Sequence, residues 1–145
     1  MVTAKNASLV RSAIAVFALV ISFQASSRTI KEINILESGV TTNTMEKGLT
    51  QQCKQFKPTI KQIKNFFSKA YPVPRRWASH ERYAPCYAAG TIIFDDFGEA
   101  SWSITSGGVG GITWAEGDTV ILFYKNNKWV DPTSCSYGLG DTLEC

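Results

Sequence analysis

The chain has a single histidine, His80, in the run Arg75-Arg76-Trp77-Ala78-Ser79-His80-Glu81-Arg82-Tyr83. A hydrolase of the Ser-His-Asp or Cys-His kind needs an imidazole within hydrogen-bond reach of its nucleophile, so any such site has to be built around this run. The four cysteines, Cys53, Cys86, Cys135 and Cys145, are expected to be oxidised, which leaves only a serine to partner His80, and the chain holds no Gly-x-Ser-x-Gly elbow. A lone loop histidine reads as an ordinary surface residue. Asp95, Asp96 and Glu99 offer oxygen ligands, but their spacing is not that of a calcium loop, and they read as a turn between strands. The separation of a glycosidase's paired carboxylates is a property of the fold, so sequence neither shows nor excludes such a pair. The run Gly107-Gly108-Val109-Gly110-Gly111 lacks the following helix and Lys-Ser/Thr of a phosphate cradle, and reads as a hairpin connection. No catalytic residue, metal or cofactor is assigned.

Contact chemistry is better represented. Tyr71 to Trp77 combine two prolines, two arginines and two aromatics, residue types that limit backbone freedom and recur at binding hot spots. From Cys53 to Tyr83 the formal charge is +7, and from Asp95 onward it is −6. The folded molecule is therefore expected to present a basic surface and an acidic one, unless the two neutralise each other internally. The candidate partner-binding residues are Lys57, Lys61, Lys64, Arg75, Arg76, Trp77, His80 and Arg82 on the basic side, and Asp95, Asp96, Glu99 and Glu116 on the acidic side.

The elements that must position these residues begin after an export signal. Lys5 and Arg11 precede an uncharged apolar run at 12–23, followed by Gln24-Ala25-Ser26-Ser27, the pattern of a secretory signal peptide over 1–27. The run is short for a membrane span, so no stable span is expected after cleavage; an uncleaved anchor is the alternative. Removing 1–27 lowers the formal net charge from +3 to +1, which with export disfavours nucleic acid as a partner. The remainder, 28–145, is expected to be one domain: an N-terminal strand and loop at 28–52, then a disulfide-bridged α+β unit at 53–145.

Residues 28–36 fit either a strand or a helical turn, and 37–52, rich in Ser, Gly, Thr and Asn, read as a loop. Residues 58–70 read as the principal helix, with Pro58 in its first turn, Ile60, Ile63, Phe67 and Ala70 on its apolar face, and lysines opposite. Those lysines suit an acidic partner or a membrane surface, although a solvated face is the ordinary reading. Short apolar runs at 91–94, 100–105, 112–115, 119–125 and 128–130, separated by turn formers, read as an antiparallel meander. Turns are expected at 95–98 and at Asn126-Asn127. The helix is expected to pack on four to six strands, with a small closed barrel as the alternative. The even cysteine count in a small exported chain predicts two disulfides, with Cys53–Cys86 and Cys135–Cys145 favoured among three pairings.

The segments Cys53-Lys54-Gln55-Phe56-Lys57-Pro58-Thr59, Glu81-Arg82-Tyr83-Ala84-Pro85-Cys86-Tyr87 and Asn127-Lys128-Trp129-Val130-Asp131-Pro132 resemble those of small exported proteins of Gram-negative bacteria. Some of these are similar in size and bridging to periplasmic immunity proteins and hydrolase inhibitors. The resemblance spans most of the mature chain, but its motifs are structural and carry no functional residue across. It implies a non-enzymatic periplasmic protein that binds a protein partner, a toxin or cell-wall hydrolase. An exported hydrolase with a nonstandard site, and a structural envelope protein or secreted effector, are the alternative expectations.

Overall fold

The computed structural model describes residues 29–96 and 98–135. Six strands form one antiparallel sheet: β1 (Ile30–Thr41), β2 (Tyr71–Pro72), β3 (Cys86–Phe94), β4 (Gly98–Thr105), β5 (Val109–Trp114) and β6 (Thr119–Phe123), in the order β1-β3-β4-β5-β6-β2. Two α-helices, α1 (Lys47–Cys53) and α2 (Ile60–Lys69), lie between β1 and β2 in the chain. The expected α+β architecture, a helix on an antiparallel meander, is present.

Alternation in β3 and β4 defines the sheet's two faces. Ala88, Ile92 and Phe94 in β3, with Ala100, Trp102 and Ile104 in β4, are buried on the inner face beneath the helices. The residues between them, Thr91, Ser101 and Ser103 among others, point to the outer face. On the inner face Phe66 of α2 lies against Gly110, where an added Cβ would stand 2.8 Å from Phe66 Cε1 and 2.8 Å from the Ser103 carbonyl oxygen. Gly90 is closer still to its neighbours. A Cβ there would fall 1.9 Å from the Asn34 carbonyl oxygen and 2.9 Å from the Trp102 ring, so only hydrogen fits between β1 and the indole. Trp102 uses this clearance to donate from Nε1 to the Thr91 carbonyl at 2.9 Å and to meet Phe67 edge-on.

Thr59 caps α2: its Oγ1 accepts from Gln62 N while Gln62 Oε1 accepts from Thr59 N, which closes a reciprocal capping box. The helix therefore starts at Ile60, and Pro58 precedes it instead of occupying its first turn. Ile63 and Phe66 are the residues fully buried by α2, whereas Ile60 in its first turn is 49% exposed. Gln62 also donates from Nε2 to the Lys128 carbonyl at 2.8 Å, which ties the helix start to the segment after β6.

Two local expectations are corrected. The segment 37–52 is not a loop, since β1 continues to Thr41 and α1 follows. Pairing with β3 tolerates the Gly and Ser of this stretch because register shifts at Ile30/Glu32, Ile35/Glu37 and Ser38/Val40 absorb the extra residues. Leu49 and Cys53, one turn apart in α1, are both buried. Residues 128–130 form no strand and Asn126-Asn127 no hairpin. Instead Asn127 is buried, with Nδ2 donating to the Tyr124 carbonyl and Oδ1 accepting from Trp129 N, and this turn sends the Trp129 ring inward. There the indole meets Phe56 edge-on at 5.7 Å and Phe66 at 5.6 Å, and its Nε1 donates to the Ser106 carbonyl at 2.9 Å. Of the two expected disulfides, the favoured Cys53–Cys86 bridge is present, and it is the one seen among the described residues. The pairing assigned to Cys135 lies outside the described residues because it requires Cys145.

The seen bridge closes a sequence separation of 33 residues and, by loop entropy, stabilises the fold by about 3 to 4 kcal/mol. Trp129→Ala is expected to cost about 3 to 5 kcal/mol in a urea titration, since it removes both ring contacts and the partner of the Ser106 carbonyl. Val130→Ala, at a side chain 81% exposed, is expected to stay within about 0.5 kcal/mol of the parent.

Candidate partner interface

The chain crosses from the helical layer to the other face of the sheet just before the run Arg75 to Tyr83. α2 leads into β2, which pairs with β6 through Tyr71↔Phe123 and Pro72↔Leu122, and Val73 N continues the ladder to the Ile121 carbonyl. The chain then turns at Pro74 into a single π-helical turn, Trp77–Glu81, closed by Arg82 N bonding to the Trp77 carbonyl at 2.8 Å. This arch lies on the outer face. Phe123, 4% exposed, is its anchor, with the Trp77 ring at 5.1 Å, the Tyr71 ring edge-on at 5.8 Å and the Arg82 guanidinium 5.2 Å from the ring centroid. Aromatic pairs add about 0.5 to 1.5 kcal/mol beyond their area, and a cation over a ring about 0.5 to 1 at an exposed site, so the arch is fixed by a stack around one residue.

The basic candidates therefore divide between two faces. Lys57, Lys61 and Lys64 are exposed on the helical layer, while Arg75, Arg76, His80 and Arg82 belong to the arch on the opposite face. No single flat partner covers both groups. Trp77 is half-buried against Phe123, which makes it a support of the arch before it is an anchor for a partner. Arg76 Nε lies 3.0 Å from Glu81 Oε1 in an exposed pair that orients the guanidinium and adds little stability. Arg75 and His80 are exposed.

The acidic candidates come together. In an antiparallel meander the β3–β4 and β5–β6 turns lie at the same end of the sheet, so Asp95, Asp96 and Glu99 share that end with Glu116. The β4–β5 turn lies at the opposite end, where the row Tyr87, Thr105, Val109, Phe123 and Tyr71 crosses the outer face beside the arch. Between arch and acidic turns the outer face carries Ser101 and Ser103 from β4, Thr91 from β3, Thr113 from β5 and Thr119 from β6. Thr113 and Thr119 hydroxyls lie 3.0 Å apart, and Ser101 Oγ donates to the Thr113 carbonyl at 3.3 Å. This shelf of short hydroxyl side chains was not singled out from the sequence. Its signal was the polar half of the alternation Ser101-Trp102-Ser103-Ile104-Thr105, whose apolar half marked the core.

On the outer face the Tyr87 hydroxyl donates to the Glu37 carboxylate of β1. Burial, then the Glu37 charge and that bond, raise the Tyr87 pKa above its ordinary value of 10.0. A raised folded-state pKa means that the unfolded chain releases the proton first. The contribution of this pair to stability is thus fully present below pH 10 and falls as pH rises beyond it. Alkaline denaturation is expected to require higher pH, relative to neutral stability, in Tyr87→Phe than in the parent. Trp77→Ala is expected to speed hydrogen exchange of the arch amides roughly tenfold while that of β3 and β4 is unchanged, the signature of a locally released segment.

Comparison with known proteins finds no matching family model, no matching curated protein and no matching solved structure.

Proposed function

We propose that this chain is a non-enzymatic exported binding protein of the immunity or inhibitor kind, which neutralises a toxin or cell-wall hydrolase in the periplasm by docking its outer face on that protein. The observation that carries the reading is the stack of Trp77, Tyr71 and Arg82 around Phe123, which holds the arginine-bearing arch rigidly on one face of the sheet. A surface organised before the encounter loses little entropy on docking, and this is the main determinant of affinity at a given interface size. The arch presents Arg75 and Arg76, and the far end of the same sheet is acidic, so the surface has a charge direction able to orient an incoming partner. A disulfide suits an oxidising compartment, and among the described residues no helix is long and apolar enough to cross a membrane.

The test is affinity capture from periplasmic extract, followed by an activity assay on the captured protein. The expected outcome is a captured hydrolase or toxin that is inhibited at stoichiometric ratio. Reversing Arg75 and Arg76 together to glutamate is expected to slow association about tenfold or more at low salt, and much less at high salt. Peptidoglycan or lipid hydrolysis by the purified chain itself, abolished by His80→Ala, would replace this reading with an enzymatic one.

A further inference from the structure

The two edges of the sheet are unlike. At one edge β2 is two residues long and includes Pro72, a short, donor-poor strand of the kind that blocks further pairing. At the other edge β1 runs for 12 residues without proline, and among the described residues only β3 pairs with it. This edge also exposes apolar side chains, Leu36 at 74% and Ile35 at 36%. Between its first two register shifts the stretch Glu32, Ile33, Asn34 and Ile35 pairs regularly with β3, so its outward backbone groups are spaced for another strand.

From the order of residues along this edge we infer that its occupant is a second copy of the chain, paired β1 to β1 in antiparallel fashion about a two-fold axis at Asn34. That register places Lys31 of each copy opposite Glu37 of the other and Ile33 opposite Ile35, and it sets Ile30 opposite Ser38. Directly opposed residues share a face of the sheet. Ile33, Ile35, Ile30 and Ser38 all oppose inner-face residues of β3, namely Ile92, Gly90, Phe94 and Ala88, so these pairs meet this condition, while Lys31 lies at the first register shift, without a partner on β3. The same register sets Glu32 opposite Leu36; shifting the axis to Ile33 sets Lys31 against Ile35, and shifting it to Ile35 sets Ile33 against Glu37, so either shift loses both charge pairs. The contact is isologous and closes on itself, which gives a dimer and not a fibre. Its axis is perpendicular to the sheet, so the two copies present their arches on the same side of one continuous sheet.

The experiment is sedimentation equilibrium of the oxidised protein with three variants, Lys31→Glu, Glu37→Lys and the double exchange K31E/E37K. The parent is expected to dimerise. Each single reversal turns two symmetry-related attractions into repulsions and is expected to weaken association by about tenfold or more, while the double exchange restores it. Circular dichroism of the four proteins shows that any loss is not unfolding, and amides 31–37 of the parent are expected to gain protection from exchange as concentration rises. A parent monomeric at every soluble concentration overturns the inference, whether the edge is then free or taken by a different protein. A parent dimer indifferent to both reversals, or one that the double exchange fails to restore, overturns it equally.

Discussion

The inner face of the sheet works because aromatic rings rest directly on its backbone. At Gly110 the edge of Phe66 occupies the place a side chain would take, and at Gly90 the Asn34 carbonyl and the Trp102 ring do the same. Helix and sheet thereby approach more closely than two layers of side chains allow, and the remaining aromatics are arranged around that approach. Phe67 reaches Trp102 from α2, and Trp129 closes the cluster from the C-terminal side against Phe56 and Phe66. Phe56 follows directly on α1, whose last residue is the bridged Cys53, so the disulfide, both helices and the segment after β6 all meet at this one cluster. An alanine methyl at Gly110 would press on the Phe66 ring of the helical layer and on the Ser103 carbonyl, and one at Gly90 would meet the Asn34 carbonyl of β1 and the Trp102 ring of β4, backbone and packed aromatic atoms that would have to shift.

The sheet also decides what is presented together. Because the chain passes around the β6 edge through β2, the lysines of α2 and the arginines of the arch, close in sequence, end on opposite layers. Conversely, Asp95 and Glu116, far apart in sequence, end beside each other because two turns of a meander share an end. The +7 and −6 halves of the sequence therefore do not become two halves of the molecule. The basic half is split across the sheet and the acidic half is gathered at one end of it.

What could be read from the sequence follows from the range of the forces involved. The alternation of Trp102 and Ile104 with serines is a local consequence of burying one side of a strand, and it identified β4 correctly. The same logic found α2 and, in Ile63, Phe67 and Ala70, most of its inward face. Ile60 fits the period yet is half exposed, and Phe66, which the period did not include, is the residue that lies against Gly110. β1 beyond Leu36 was not recognisable because its strand character is imposed by β3, with register shifts that skip Leu36 and Gly39 and so interrupt the alternation a strand would show in sequence. Residues 128–130 failed for the opposite reason. Their apolar pattern is real, but Asn127 turns the chain so that Trp129 is spent on the helical layer while Val130 remains outside. The arch stood out in the sequence by its residue types, while its dependence on Phe123 is a long-range fact that spacing does not carry.

The order of strands has a kinetic corollary. β3, β4, β5 and β6 are neighbours in both chain and sheet, joined by short turns, so they can pair with little loss of loop entropy. β1 cannot: Ile30 finds Phe94 only after the whole intervening chain, with both helices, has been drawn in. The meander is thus the natural nucleus, and the N-terminal strand docks late, onto an edge of β3 that stays open until it arrives. Formation of Cys53–Cys86 shortens that search, since it fixes the end of α1 beside the residue of β3 that receives Thr41. A chain bridged at this one pair before β1 docks has a shorter loop left to close, so the bridge bears on how the last strand is found as well as on how firmly it is held.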